Sequence, residues 1–98
     1  MDGIAKSLPS TWRADKIISK AEKAGYLPKK DIDDAEQRLI GSVSALIAAD
    51  DREKAIGDVL FAAVRAARAY ELDPEDALNK ANDRFIEEFR RAEEEKGE

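Results

Sequence analysis

The 98-residue sequence predicts an all-α domain built from four helices. Apolar residues recur at three- and four-residue steps along most of the chain, and no segment shows the alternation of a half-buried strand. Charged residues make up 40% of the chain, which is typical of helices with one solvated face. At this length, residues 1–98 form a single domain, and association with a second copy would enlarge its small core.

The first predicted helix runs from about Ser10 to Ala24. Ser10 or Thr11 is the expected N-cap, and Gly25 can adopt the left-handed backbone that ends a helix. Its apolar side consists of Trp12, Ile17, Ile18 and Ala21. Pro28 then predicts a loop, because proline cannot sit inside a helix.

The second predicted helix is capped by Asp31 and continues to about Ala49. Its apolar stripe consists of Ile32, Ala35, Leu39, Val43, Leu46 and Ile47.

The third helix follows the capping pair Asp50-Asp51 and runs from about Arg52 to Tyr70. Its centre, residues 56–64, is apolar nearly all round, so it needs cover on several sides. A second subunit is expected to provide part of that cover, which predicts a homodimer.

The fourth helix has the clearest start, with Asp73 as the N-cap and Pro74 at the first helical position. Its apolar line consists of Leu78, Ala81, Phe85, Phe89 and Ala92. Residues 93–96 are expected to form a frayed, solvated end.

The composition excludes several kinds of chemistry. With no cysteine and no histidine, the chain has no disulfide, no thiolate ligand and no imidazole base. Catalysis would have to use carboxylates, lysines, hydroxyls or a bound metal ion. A net charge of −5 argues against a nucleic-acid partner. We expect no membrane span and no signal peptide at Met1-Asp2-Gly3, and therefore a cytoplasmic protein.

Several motifs, in order, resemble the MazG family. They are Gly57-Asp58-Val59-Leu60-Phe61, residues 72–78 (LDPEDAL) and residues 80–85 (KANDRF), preceded by Ser7-Leu8-Pro9, Arg13-Ala14, Lys20-Ala21 and Gly25-Tyr26. The resemblance implies an all-α domain that pairs into a dimer of helical bundles. It also implies cleavage of nucleoside triphosphates to a monophosphate and pyrophosphate, with magnesium held by carboxylates on two facing helices.

The sequence departs from the family pattern at the expected metal ligands. Four positions that carry acids in the family are Gln37, Arg38, Gly41 and Ala55 here. Asp58 alone keeps its carboxylate and is the one candidate metal ligand. On the last helix, Lys80, Asn82 and Arg84 are candidates for contact with substrate phosphate, although such residues more often form a solvated helix face.

Three interpretations of Asp58 stay open: an ion pair with Arg38 in place of magnesium, which we favour, a weak metal site, or a solvated carboxylate. Asp33, Asp34 and Glu36 could form a metal site shifted by one turn, but helix capping explains them more simply.

Other residues have simpler interpretations. Core packing or a subunit contact is favoured over nucleobase stacking for Trp12 and Tyr26. We expect Arg65 and Arg68 to pair with nearby acids, and Gly57 to allow close helix approach.

Three functions follow: an active hydrolase with a rearranged site, a silent relative that binds a nucleotide or regulates a partner, and a structural dimerisation module. We favour weak or absent hydrolysis, with magnesium as cofactor only if the site is active. The sequence leaves open the nucleobase, the sugar and the choice between dimer and tetramer.

Overall fold

A computed structural model describes residues 3–4 and 7–97, so Met1 and Asp2, where we expect no signal peptide, lie outside the described residues. The helices are α1 (Ser10–Lys23), α2 (Ile32–Ala48), α3 (Arg52–Ala69) and α4 (Pro74–Gly97). No strand occurs in the described part of the chain, which confirms the all-α prediction. None of the described helices is both long and apolar enough to cross a membrane.

Three aspartates start α2, α3 and α4 as predicted. The Asp31 carboxylate accepts a hydrogen bond from the backbone N–H of Asp34 at 3.0 Å, and Asp51 accepts one from Lys54 at the same distance. Asp73 accepts a bond of 2.9 Å from the N–H of the residue after Pro74. Each bond satisfies a backbone donor that has no partner within its helix.

The ends of α1 and α4 differ from prediction. Pro9 is the N-cap of α1 and no described side chain caps the helix, so the prediction of Ser10 or Thr11 as the cap is wrong. Gly25 has a φ of 78° and ends the helix as expected. The acidic run at residues 93–96 is helical, because α4 continues to Gly97, although its side chains are exposed as predicted.

Helices α2 and α3 form an antiparallel hairpin, joined by the short turn at Asp50-Asp51. The core consists almost entirely of small side chains: Ile18, Ala21, Ala35, Ala55, Ala62, Val64, Ala66 and Ala69. Five of the eight lie on α3, namely Ala55, Ala62, Val64, Ala66 and Ala69. Alanines bury little area, so this core stabilises the fold weakly.

Gly57 does not serve close helix approach within the chain. A Cβ atom placed on Gly57 or on Gly41 meets nothing within 4 Å. The predicted role of Gly57 is therefore wrong for contacts inside one subunit.

Helix α4 leaves the rest of the domain after a short contact. It packs against α1 and α3 near its start, where the Thr11 hydroxyl donates to the Glu75 carboxylate. Beyond Ala81, every described residue of α4 is exposed, including the apolar side chains of Phe85 and Phe89. The molecule is accordingly elongated, with extents of 58 × 32 × 26 Å.

Candidate functional site

A groove of about 580 Å³ lies between α2 and α3. It is lined by Tyr26, Leu27, Arg38, Ser42, Asp58, Phe61, Ala62 and Arg65. The α3 residues among them recur at three- and four-residue steps and therefore share one helix face. The groove thus brings together two residues that the sequence singles out, Arg38 and Asp58.

The predicted ion pair between Arg38 and Asp58 is wrong. The Asp58 carboxylate lies 3.2 Å from Lys54 Nζ, and Arg38 Nε lies 3.8 Å from Asp34 Oδ1. Both partners are one turn away on the same helix. The Asp58 side chain is 59% exposed, so water and a local lysine stabilise its charge without a guanidinium from the facing helix.

The buried ionic contact of the groove is instead Arg65 with Asp34. The Arg65 side chain is 9% exposed, and its Nη2 atom donates to Asp34 Oδ2 at 2.9 Å. The expected pairing of Arg65 with an acid is confirmed, but its burial and its place in the groove were not foreseen. The sequence does indicate that Arg65 lies in the groove, because it follows Asp58 by seven residues and therefore lies two turns along the same face of α3.

The groove does not offer the ligand set that magnesium needs. Gln37 and Gly41 are exposed on α2, and Ala55 is buried on α3, so none of them presents a carboxylate. Magnesium requires near-octahedral coordination by oxygen atoms, and the Lys54 ammonium already pairs with the Asp58 carboxylate. Among the described residues, no three acidic side chains are grouped where they could hold a metal ion. The residues present therefore do not fit the magnesium site that the resemblance implies.

Two of the three acids that could form a shifted site, Asp34 and Glu36, have separate partners. Asp34 is engaged by Arg65, as described above. Glu36 accepts a hydrogen bond of 2.6 Å from the Tyr70 hydroxyl, which raises the pKa of that phenol above its ordinary value. Asp33 is exposed in the first turn of α2.

The three candidates on α4 do not reach this groove within the subunit. Lys80, Asn82 and Arg84 are exposed, and Lys80 Nζ pairs with Asp76 at 3.0 Å. In the part of the chain that the structure describes, α4 contacts α1 and α3 but not α2. A role in contacting substrate phosphate thus has no support from the geometry of one chain.

A second cleft, of about 730 Å³, lies where α1 meets the α3–α4 connection. Arg68 borders it and binds Asp15 at 3.1 Å and Glu22 at 2.5 Å, as expected of an arginine near acids. Burial alone would lower the pKa of the Arg68 guanidinium, but the hydrogen bonds to Glu22 and Asp15 outweigh that effect and raise it. These two contacts tie α3 to α1.

A contact between the α1–α2 loop and the α3–α4 loop crosses the same cleft. Lys30 Nζ lies 2.8 Å from Glu71 Oε1, and this hydrogen bond lowers the pKa of the Glu71 carboxyl. Both residues have positive φ angles, 51° and 61°.

Trp12 and Tyr26, the two aromatic residues for which core packing is predicted, are not part of the core. Trp12 borders the second cleft and is 43% exposed, and Tyr26 borders the groove and is 82% exposed. Core packing within one chain is therefore wrong for both, because each lies on a loop or helix end beside an open cleft, and the alternative of a subunit contact stays a prediction.

Comparison with known proteins finds related sequences over most of the chain. The chain is 31% identical over 100 residues to the nucleoside triphosphate pyrophosphohydrolase of Escherichia coli, covering 95% of this chain and 38% of that protein. It is 32% identical over 90 residues to the nucleoside triphosphate pyrophosphohydrolase/pyrophosphatase MazG of Thermotoga maritima, covering 89% of this chain and 35% of that protein.

The chain thus spans little more than a third of the length of these relatives. No family model and no solved structure matches it. Over nearly all of its length, this chain is thus similar in sequence to these relatives, and its four-helix fold agrees with the resemblance to the MazG family.

Proposed function

We propose that this chain is a MazG-family domain with weak or absent nucleoside triphosphate pyrophosphohydrolase activity. The observation that carries the proposal is the state of Asp58, the one carboxylate retained at the positions where the family holds metal. It is exposed and already paired with Lys54, and the neighbouring positions carry Arg38, Gly41 and Ala55. Fold alone does not carry activity when the site residues have changed.

The physical argument concerns charge and ligand number. A magnesium ion offsets phosphate charge and activates water only if the protein supplies enough oxygen ligands to hold it. Here the groove is lined by Arg38 and Arg65 and by a single carboxylate, Asp58, which is paired with Lys54. Two cations repel a divalent ion and leave its coordination to water and substrate.

The test is pyrophosphate release from a panel of ribo- and deoxyribonucleoside triphosphates, with magnesium and then with manganese. The E. coli relative serves as the positive control. We expect no release above background from protein shown to be folded by circular dichroism. Substantial release that disappears in Asp58→Ala would contradict the proposal.

Restoring carboxylates tests the same argument in the opposite direction. Arg38→Glu with Gly41→Glu places two acids at exposed positions, and a Cβ at Gly41 meets no neighbour, so this variant should fold. Adding Ala55→Glu completes the family pattern but buries a carboxylate at a position that is 8% exposed, which risks unfolding. The double variant should bind manganese more tightly than the parent protein, as measured by calorimetry.

We also propose that the chain is a homodimer, with the apolar side of the α2–α3 hairpin as its interface. Ile40, Val43 and Ile47 on α2 and Ile56 and Leu60 on α3 are all exposed. Successive helix residues turn by about 100°, which places these side chains on the opposite side of the hairpin from Arg38 and Asp58. Pairing of two such faces would form a four-helix bundle and leave both grooves open.

The surface area supports this assembly. The chain exposes 7594 Å², whereas a compact monomer of 10.9 kDa exposes about 5,600 Å². The excess is roughly 2,000 Å² per chain, part of it on the exposed α4, and two chains together would have about 4,000 Å² to bury, within the range of obligate homodimers. The radius of gyration, 16.6 Å, also exceeds the roughly 13 Å of a compact domain of this length.

Size-exclusion chromatography with light scattering tests the dimer. We expect twice the chain mass for the parent protein and for Ala24→Glu, an exposed control outside the hairpin. Leu60→Glu should shift the mass toward one chain, since it places a charge in the apolar face. A monomeric parent protein would contradict the proposal.

A further inference from the structure

The outer face of α1 is basic, although the chain as a whole carries a net charge of −5. Four exposed cations recur along it at steps of three, four and three residues and therefore share one side of the helix: Arg13, Lys16, Lys20 and Lys23. The two acids of α1, Asp15 and Glu22, bind Arg68 of α3 instead. A basic surface on an acidic chain attracts anionic groups.

This basic face continues into the second cleft at Lys16. Leu8, Trp12 and Lys16 follow one another at four-residue steps, and all three border the cleft. The Trp12 side chain is 43% exposed, and Lys16 has no ion-pair partner among the described residues. In order along the chain, the cleft thus presents two apolar side chains and then a cation.

The exposed end of α4 presents a matching row of side chains. Phe85, Phe89 and Glu93 also follow one another at four-residue steps, and the two phenylalanines are 66% and 56% exposed. Residues 93–96 are three glutamates and one lysine, and in the described part of the chain none of these three acids has an ion-pair partner. Two apolar side chains followed by an acid therefore match two apolar side chains followed by a cation, at the same spacing.

The end of α4 does not reach the cleft of its own chain. Pro74, the first residue of α4, already borders the cleft. A helix rises about 1.5 Å per residue, which places Glu93 roughly 28 Å farther along the axis. Every described residue of α4 beyond Ala81 is exposed. The two matching rows can therefore meet only between different chains.

We propose that the end of α4 docks on the basic face of α1 in a second copy of this chain, with Phe89 against Trp12 and Glu93 against Lys16. Both rows run in the same direction along the sequence, so the two helices lie parallel in this contact. The opposite charges fix the register, and the aromatic pair covers apolar surface that a single chain exposes. The inference rests on the proposed homodimer only in naming a second copy as the occupant, because α1 and the end of α4 lie outside the hairpin face.

Cross-linking between two single-cysteine proteins tests the contact, because the chain has no cysteine of its own. One protein carries Ser19→Cys, three residues after Lys16, and the other carries Ala92→Cys, next to Glu93. The two proteins are mixed until subunits have exchanged, a short bismaleimide is added, and mass spectrometry identifies the mixed product. Arg90→Cys is the control for Ala92→Cys, since two residues turn a helix by about 200° and place position 90 on nearly the opposite side of α4. We expect several times more mixed product with Ala92→Cys than with Arg90→Cys.

Charge reversal tests the ionic part of the contact. Lys16→Glu in the Ser19→Cys protein should lower the yield of mixed product about two- to fivefold, as expected for an exposed ion pair. Glu93→Lys in the other protein should restore the yield. Lys29→Glu, which changes an exposed lysine outside the cleft, should leave the yield unchanged. Raised salt should lower the yield with the parent charges, because exposed charges are screened.

Equal yields with Ala92→Cys and Arg90→Cys would overturn the inference, and so would equal effects of Lys16→Glu and Lys29→Glu. Thermal melts followed by circular dichroism establish that each variant is folded. Light scattering separates this inference from the proposed hairpin interface. A parent protein of twice the chain mass whose variants fail to cross-link would contradict this inference alone, whereas cross-linking by a protein with the mass of one chain would contradict the hairpin interface alone.

Discussion

Arg68 is the residue whose loss should destabilise this small domain most clearly. Its guanidinium joins α3 to two acids of α1, Asp15 and Glu22, and the Glu22 side chain is 7% exposed. Arg68→Met keeps much of the apolar stem but leaves the Glu22 carboxylate buried without a partner. The Glu22 carboxylate would then either stay ionised and buried with no cation beside it, or take up a proton.

The expected cost follows from that burial. Removing one partner of a buried ion pair destabilises a protein by about 3–5 kcal/mol. The lower end applies here, about 3 kcal/mol, because the Arg68 side chain is 23% exposed and its Nε atom has no hydrogen-bond partner among the described residues. Domains of this size have total stabilities of about 5–15 kcal/mol, so the change is large enough to measure.

Urea unfolding followed by circular dichroism at 222 nm measures this cost. Protein concentration must be held fixed, since the stability of the proposed dimer would depend on it. Glu22→Gln combined with Arg68→Met should be less destabilised than the sum of the two single variants by about 1–3 kcal/mol. Arg90→Met, on the exposed part of α4, should change stability by less than about 0.5 kcal/mol. Additive losses within about 0.5 kcal/mol would refute the view that Glu22 depends on Arg68.

Three further predictions test local features. In Tyr26→Phe, absorbance at 295 nm should show Tyr70 ionising above its ordinary pKa, and Glu36→Gln should lower that pKa. Because the neutral Tyr70 hydroxyl is the donor, its hydrogen bond to Glu36 stabilises the fold below the ordinary pKa of about 10. That contribution is lost as pH rises through the raised pKa of Tyr70. An unshifted pKa would count against the contact. Gly41→Ala should stabilise the protein by up to about 1 kcal/mol in urea unfolding, since the helix position is open, and a loss of stability would indicate an unseen neighbour. Asp31→Ala should cost about 1 kcal/mol through loss of the α2 cap, and no change would show that the cap is dispensable.

The sequence by itself determined the helices and most of their ends. Asp31, Asp51 and Asp73 cap their helices through bonds to residues two or three positions ahead, and Gly25 ends α1 through its own φ angle. These features depend on neighbours along the chain, so a pattern of residue types is sufficient to predict them. The resemblance to the MazG family was likewise visible in the order of the motifs, and the comparison with known proteins finds relatives of that name.

Only the tertiary structure decided which charges meet and which apolar faces are covered. Arg38 and Asp58 share a groove, yet each pairs with a residue one turn away on its own helix, and the buried partner of Asp34 is Arg65 from the facing helix. Helical periodicity assigns a side chain to a face of its helix but gives neither the register between two helices nor the extent of exposure. Pairing across α2 and α3 depends on both, because an exposed acid can be satisfied locally by lysine and water, whereas a buried arginine must find a carboxylate.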